Sequence, residues 1–144
     1  MSPLDIANQI SWPAILLATA GQFAVGAIWY MAVFPKQWGE MFGFDKLSQS
    51  EQKAMQAKMG PYYGLQIVVT LLTSYVLAHL VLAVPEISAY KLAFWLWLGF
   101  VVPTQVSAVI FGGVDPKWIS RRIGIMASGS LACLLTAALI FSWF

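Results

Sequence analysis

The sequence predicts an all-α membrane protein: a single domain over residues 1–144 that forms an up-down bundle of four transmembrane helices, with a short amphipathic helix in a cytoplasmic loop. Three observations carry this. Hydrophobic residues make up 60% of the chain and charged residues 10%, against roughly 45–50% and about 25% in a soluble domain. A soluble fold of this length needs a charged surface that so few charges cannot supply. Four apolar stretches, about 13–34, 62–84, 92–111 and 123–144, contain no Asp, Glu, Lys or Arg. The Lys and Arg residues fall almost entirely into alternate connections.

At 1.5 Å per residue, about 20 residues cross a hydrocarbon core of roughly 30 Å. In lipid a backbone amide finds no partner except in its own helix, so each stretch is predicted to be a spanning helix. The segment before the first span holds Asp5 and no Lys or Arg, unlike the basic start of a signal peptide, so this span is expected to be retained. The connection that follows contains Ser48 and Glu51 at the spacing of a capping box. It predicts a short helix through Lys53, Met55, Lys58 and Met59, stopped by Gly60-Pro61 and lying along the membrane surface. The two later connections, Pro85 to Lys91 and Gly112 to Lys117, are brief and make neighbouring spans antiparallel. In the third span Pro103 removes a backbone hydrogen bond and predicts a kink, with Thr104, Gln105 and Ser107 beside it.

Lys36, Lys46, Lys53 and Lys58 lie in the first connection and Lys117, Arg121 and Arg122 in the third, whereas Lys91 alone lies opposite. Positive residues in short loops stay in the cytoplasm, so both termini are expected outside. Trp12, Tyr90, Trp95 and Trp143 then fall near the outer interface, and Trp38, Tyr62, Tyr63 and Trp118 near the inner one.

Small residues recur at intervals of four, Ala14, Ala18, Gln22 and Gly26 in the first span and Gly124, Ser128, Ala132 and Thr136 in the fourth. Such stripes let helix backbones approach within one bundle, or between copies of a homo-oligomer. Polar residues inside lipid are the candidate contacts: Gln22 with Tyr75 near mid-membrane, His79 in the outer half, and Gln66 with Thr104 or Gln105 in the inner half. Interhelical hydrogen bonding is favoured over a solute site. His79 is read as a polar residue near the interface, ahead of a haem ligand or proton carrier, because no second histidine accompanies it. Lys117, Arg121 and Arg122 are candidate contacts to anionic lipid head groups, and equally a topology signal.

The remaining chemistry is largely excluded. Cys133 is the single cysteine, so neither an internal disulfide nor a redox pair can form. No cofactor or metal site is expected, and the small net charge of +2 does not suit nucleic acid. Asp115 and Glu86 fall on opposite sides of the predicted membrane, which leaves no catalytic pair and predicts a non-enzyme. The size resembles that of small multidrug resistance proteins, but those couple protons through a membrane-embedded glutamate. Gln22 is the comparable group here, and an amide cannot titrate.

The run Gly26-Ala27-Ile28-Trp29-Tyr30, then Phe34-Pro35-Lys36-Gln37-Trp38, resembles the start of the bacterial membrane protein family "domain of unknown function 1761". Tyr63-Gly64, Ser74-Tyr75-Val76-Leu77-Ala78, and Trp97-Leu98-Gly99-Phe100 with Thr104 resemble its second and third spans. The family's expected Asn in the third span and Gly-Tyr pair in the fourth are replaced here by Ser107 and Ser128-Gly129. The resemblance implies a four-helix protein of the bacterial inner membrane and no particular reaction. The expected partners are the lipid bilayer and either a second copy or another membrane protein. The expected role is structural, or that of an assembly component. The alternative is an oligomeric transporter or channel for a small neutral solute.

Overall fold

The computed structural model describes residues 2–41, 46–113 and 115–144, excluding the side chains of Pro3, Trp38 and Met41. The interfacial role read for Trp38, and Val114 in the third connection, therefore lie outside what is described. Four helical spans are long and apolar enough to cross a membrane: Trp12–Val33, Gly60–Ala83, Ala89–Ile110 and Pro116–Trp143. Among the described residues there is no strand.

Local chemistry sets the boundaries. The chain opens with α1 (Pro3–Gln9), where Ser2 and Asp5 form a reciprocal capping box and proline occupies the first turn. Sequence reasoning passed over this helix, although Ser2-Pro3-Leu4-Asp5 is a legible start. Ile6 is buried as α1 packs on the second span. The first span comprises α2 (Trp12–Ile28), capped by the Ser11 hydroxyl, followed by a π turn, Trp29–Val33. Next come α3 (Pro35–Met41), which was not foreseen, and α4 (Gln49–Lys58). The Ser48 hydroxyl caps α4 by accepting from the Glu51 amide at 3.2 Å, as its spacing implied. The second span is α5 (Gly60–Ala83), with Pro61 in its first turn. The third is α6 (Ala89–Leu96), a π turn at Trp97–Val101, and α7 (Val102–Ile110). The fourth, α8 (Ile119–Trp143), begins before the apolar run and carries Arg121 and Arg122 within its first turn.

The two π turns have one cause. Each precedes a proline by one intervening residue, Phe34 before Pro35 and Val102 before Pro103. A proline in a regular helix lacks its N–H and its ring collides with the carbonyl four residues back. One extra residue in the preceding turn moves that carbonyl aside, and the amides of Phe34 and Val102 bond to Trp29 and Trp97 five residues earlier. Beside Pro103, where the sequence predicts a kink, the helix carries a π turn.

Around the bundle the order is second, first, fourth, third. The first span packs extensively on the fourth and along the second, and the third packs on the fourth. The second and third scarcely meet, so the bundle is open along that side. Ala18, Leu77, Ala93, Ala137, Ala138 and Ile140 form the core, with small side chains bringing backbones together. Ala14, Ala18 and Gln22 of the expected stripe are buried. The expected stripe of the fourth span holds in part: Gly124 is exposed and a β-carbon there would meet nothing, Ser128, Ala132 and Thr136 are half-buried with Thr136 against Gly21, and Gly129, Ala137 and Ala138, off that stripe, are buried. That helix contacts neighbours on two faces, so its small residues do not follow one line.

Candidate functional site

Two polar clusters hold the spans together. In the first, α2 presents Thr19 and Gln22 to Ser74 of α5, all under a tenth exposed. Gln22 Nε2 donates to Ser74 Oγ at 2.7 Å and to the Ala18 carbonyl at 3.2 Å. Thr19 Oγ1 lies 3.1 Å from Ser74 Oγ and 2.8 Å from the Ile15 carbonyl, two acceptors that share its single proton by turns. Ser74 in turn donates to the Thr70 carbonyl at 3.0 Å. The partner of Gln22 is therefore Ser74, where the sequence suggested Tyr75. One residue on a helix is a turn of about 100°, which carries Tyr75 round to another face.

Tyr75 stacks on Trp12, with centroids 5.7 Å apart, and lies against His79 at 6.2 Å. These three rings sit at the end of the bundle that holds both termini. His79 is half-buried, and its Nδ1 has no hydrogen-bond partner among the described residues.

The second cluster is a row of three successive carbonyls on α8. Trp29 Nε1 donates to Ile125 O at 3.1 Å, Gln105 Nε2 to Met126 O at 3.4 Å, and Trp97 Nε1 to Ala127 O at 2.8 Å. Ser130 Oγ approaches Gln105 Oε1 at 3.3 Å and the Ala127 carbonyl at 2.9 Å. A helical carbonyl keeps a second lone pair after its own backbone bond, and in lipid no water competes for it. Gly129 is what admits the Trp29 indole, since a β-carbon there would lie 2.8 Å from Cδ1. Both donating tryptophans start π turns, and both head the pattern Trp-x5-Pro, at 29–35 and 97–103. That repeat was a usable signal which sequence reasoning missed.

Other predicted contacts stay apart. Gln66 does not reach Thr104 or Gln105; its Nε2 donates to Thr70 Oγ1 one turn along, at 3.2 Å, and the residue is exposed. Thr104 is exposed and donates to the Phe100 carbonyl at 2.6 Å. Both lie on the open side, because the second and third spans do not close there. At the base of α8, Lys117 and Arg121 lie near the Trp118 ring, their charged groups 5.7 and 5.4 Å from its centre, and both side chains are exposed. Arg122 is half-buried. Among the described residues no three His, Cys, Asp or Glu side chains converge as a metal site.

Inside the spans this arrangement offers amides, hydroxyls, indoles and one imidazole; Gln22, Trp29, Trp97 and Gln105 join helices, whereas Gln66, Thr73 and Thr104 bond within their own. One groove, about 260 Å³, lies between α5 and the third span and is lined by Thr73, Leu77, Leu80, Leu96, Phe100 and Leu134, among others, nearly all apolar; another, about 310 Å³, lies along α4 outside the spans and is lined by Leu47, Glu51, Ala54, Met55 and Lys58.

A family model described as a protein of unknown function, DUF1761, matches residues 13–142. Comparison with curated proteins and with solved structures gives no match. The matched region takes in all four spans, and two stretches that carried the resemblance, around Trp29 and Trp97, are the two π turns.

Proposed function

The chain belongs to the DUF1761 family, and on that premise we propose that it is a non-enzymatic assembly component of a bacterial inner membrane, both termini facing outward. The observation that carries this reading is the use made of the buried polar groups. Gln22 is committed to Ser74 and Ala18, and Gln105 to Met126 and Ser130. A passage for a polar solute requires polar side chains that converge on open space. Here they converge on other helices, and the open groove is apolar. The orientation rests on the Lys and Arg count of the first and third connections against the second. Lys117 and Arg121, exposed and close to the Trp118 ring, suit contact with anionic head groups at that surface.

The test is flux through the purified protein in liposomes. No uptake of small neutral solutes above protein-free vesicles is expected, and Gln22→Leu is expected to lower bundle stability alone. Uptake that Gln22→Leu or Gln105→Leu abolishes would overturn the reading in favour of a transporter.

A further inference from the structure

The open side of the bundle is not uniformly apolar. On α5, Gln66, Thr73 and Leu80 follow at intervals of seven on one stripe, and Thr73 and Leu80 line the groove. On the third span, Phe100 lines the groove, and Thr104, Ser107 and Phe111 continue its stripe at helical spacing. Gln66, Thr104 and Ser107 are all exposed. Gln66 lies six residues inside Gly60 and Thr104 six residues inside Ile110. Each is therefore about 9 Å from the basic end of its helix. Among the described residues no hydrogen bond reaches Gln66 Oε1 or leaves the Ser107 hydroxyl, whereas Thr70, Thr73 and Thr104 each bond back to a carbonyl of their own helix. Unmet polar groups facing lipid are costly.

We propose that this face binds a second copy of the chain, α5 of each copy lying against α7 of the other. This deepens the assembly reading above by naming its partner. A two-fold axis along the membrane normal keeps depth, so groups at equal depth meet in an isologous pair. Donors and acceptors match: the second Nε2 proton of Gln66 goes to the free lone pairs of Thr104 in the other copy, and Gln66 Oε1 accepts from its Ser107 hydroxyl. A membrane partner of other composition would need the same pattern at the same depths, which a second copy supplies by symmetry. The side chains of Phe100 and Phe111, 72% and 85% exposed, gain cover in the same contact.

The test uses the full chain in phosphatidylcholine–phosphatidylglycerol vesicles, with Cys133→Ala as background. Tyr62→Cys and Ala108→Cys, each two residues inside its helix end and exposed, are placed in differently tagged chains and treated with a short bis-maleimide. A mixed product at twice the 15.9 kDa chain mass is expected. Gln66→Leu should weaken the association about fiftyfold, the scale of the four interhelical hydrogen bonds it removes across the two-fold axis. Thr104→Val with Ser107→Ala should do the same from the other helix, which guards against a folding defect in either variant. Leu16→Ala, on the exposed face of α2, should leave the yield unchanged. Cross-linking only within a chain carrying both cysteines, or a yield indifferent to Gln66→Leu, would overturn the proposal. Solute flux through cross-linked chains would sink the assembly role and leave the dimer standing. No cross-link and no flux would do the reverse.

Discussion

Replacing Gly129 with alanine places a methyl carbon 2.8 Å from Cδ1 of the Trp29 indole, 3.1 Å from Nε1 and 3.4 Å from Cγ. All three atoms belong to one rigid ring whose N–H is fixed on the Ile125 carbonyl. The ring must tilt or slide, or α2 and α8 must separate along their main contact. Overpacking of this kind costs about 1–3 kcal/mol. Loss of the indole hydrogen bond adds about 0.6 kcal/mol, the average for interhelical bonds in a bilayer. The better helix propensity of alanine returns up to about 1 kcal/mol. The net expectation is a destabilisation of about 1–3 kcal/mol, read by SDS-driven unfolding in mixed micelles. The mechanism is isolated by a double-mutant cycle with Trp29→Ala. With the indole gone, Gly129→Ala should be neutral or slightly stabilising, giving a coupling of about 1–3 kcal/mol. An equal cost of Gly129→Ala in both backgrounds, or none in the natural chain, would refute the reasoning.

Other expectations follow from the same geometry. Gln22→Leu leaves Ser74 and Thr19 buried without the amide donor, so unfolding in micelles should become easier by about 1–2 kcal/mol; unchanged stability would show that the Ser74 contact is idle. Pro103→Ala removes the reason for the π turn at 97–101. Reversion to a regular helix would rotate the preceding segment by about 100° and pull Trp97 from Ala127, seen as a shift of the Trp97 indole N–H resonance. A resonance that stays in place would show that the turn is held by Trp97 itself. The Ser2 hydroxyl and then its backbone N–H hold the Asp5 carboxyl below its ordinary 3.8. A depressed carboxyl supports the helix above that value and loses its effect as pH falls through the lowered one. Amide protection in α1 should therefore fall as pH drops below 3.8, and Asp5→Asn should remove that fall.

Much of the fold was legible because lipid simplifies the problem. A run such as 123–144, without a charge and long enough to cross, has no other stable conformation in a bilayer. The Ser48 cap and the helix irregularity beside Pro103 were readable for a similar reason, since each depends on chemistry within a few residues. The candidate site was read less well. Gln22 is buried and bonded across helices, but its partner lies one position from the expected one, and a helix turns that single position into another face. Gln66 and Thr104 were matched by depth, which composition can estimate, although the helices bearing them diverge, which it cannot.

The amino-acid sequence by itself determined the number of spans and their approximate limits, because these depend on local hydrophobicity and on backbone hydrogen bonds closed within each helix. Tertiary structure alone decided that the first and fourth spans form the centre, that α8 lends three carbonyls to side chains of two neighbours, and that one side stays open. Between helices in lipid there is little hydrophobic difference to rank one neighbour over another. The choice falls to close fits such as Gly129 against Trp29 and to hydrogen bonds such as Gln22 to Ser74, which exist only once the backbones have met.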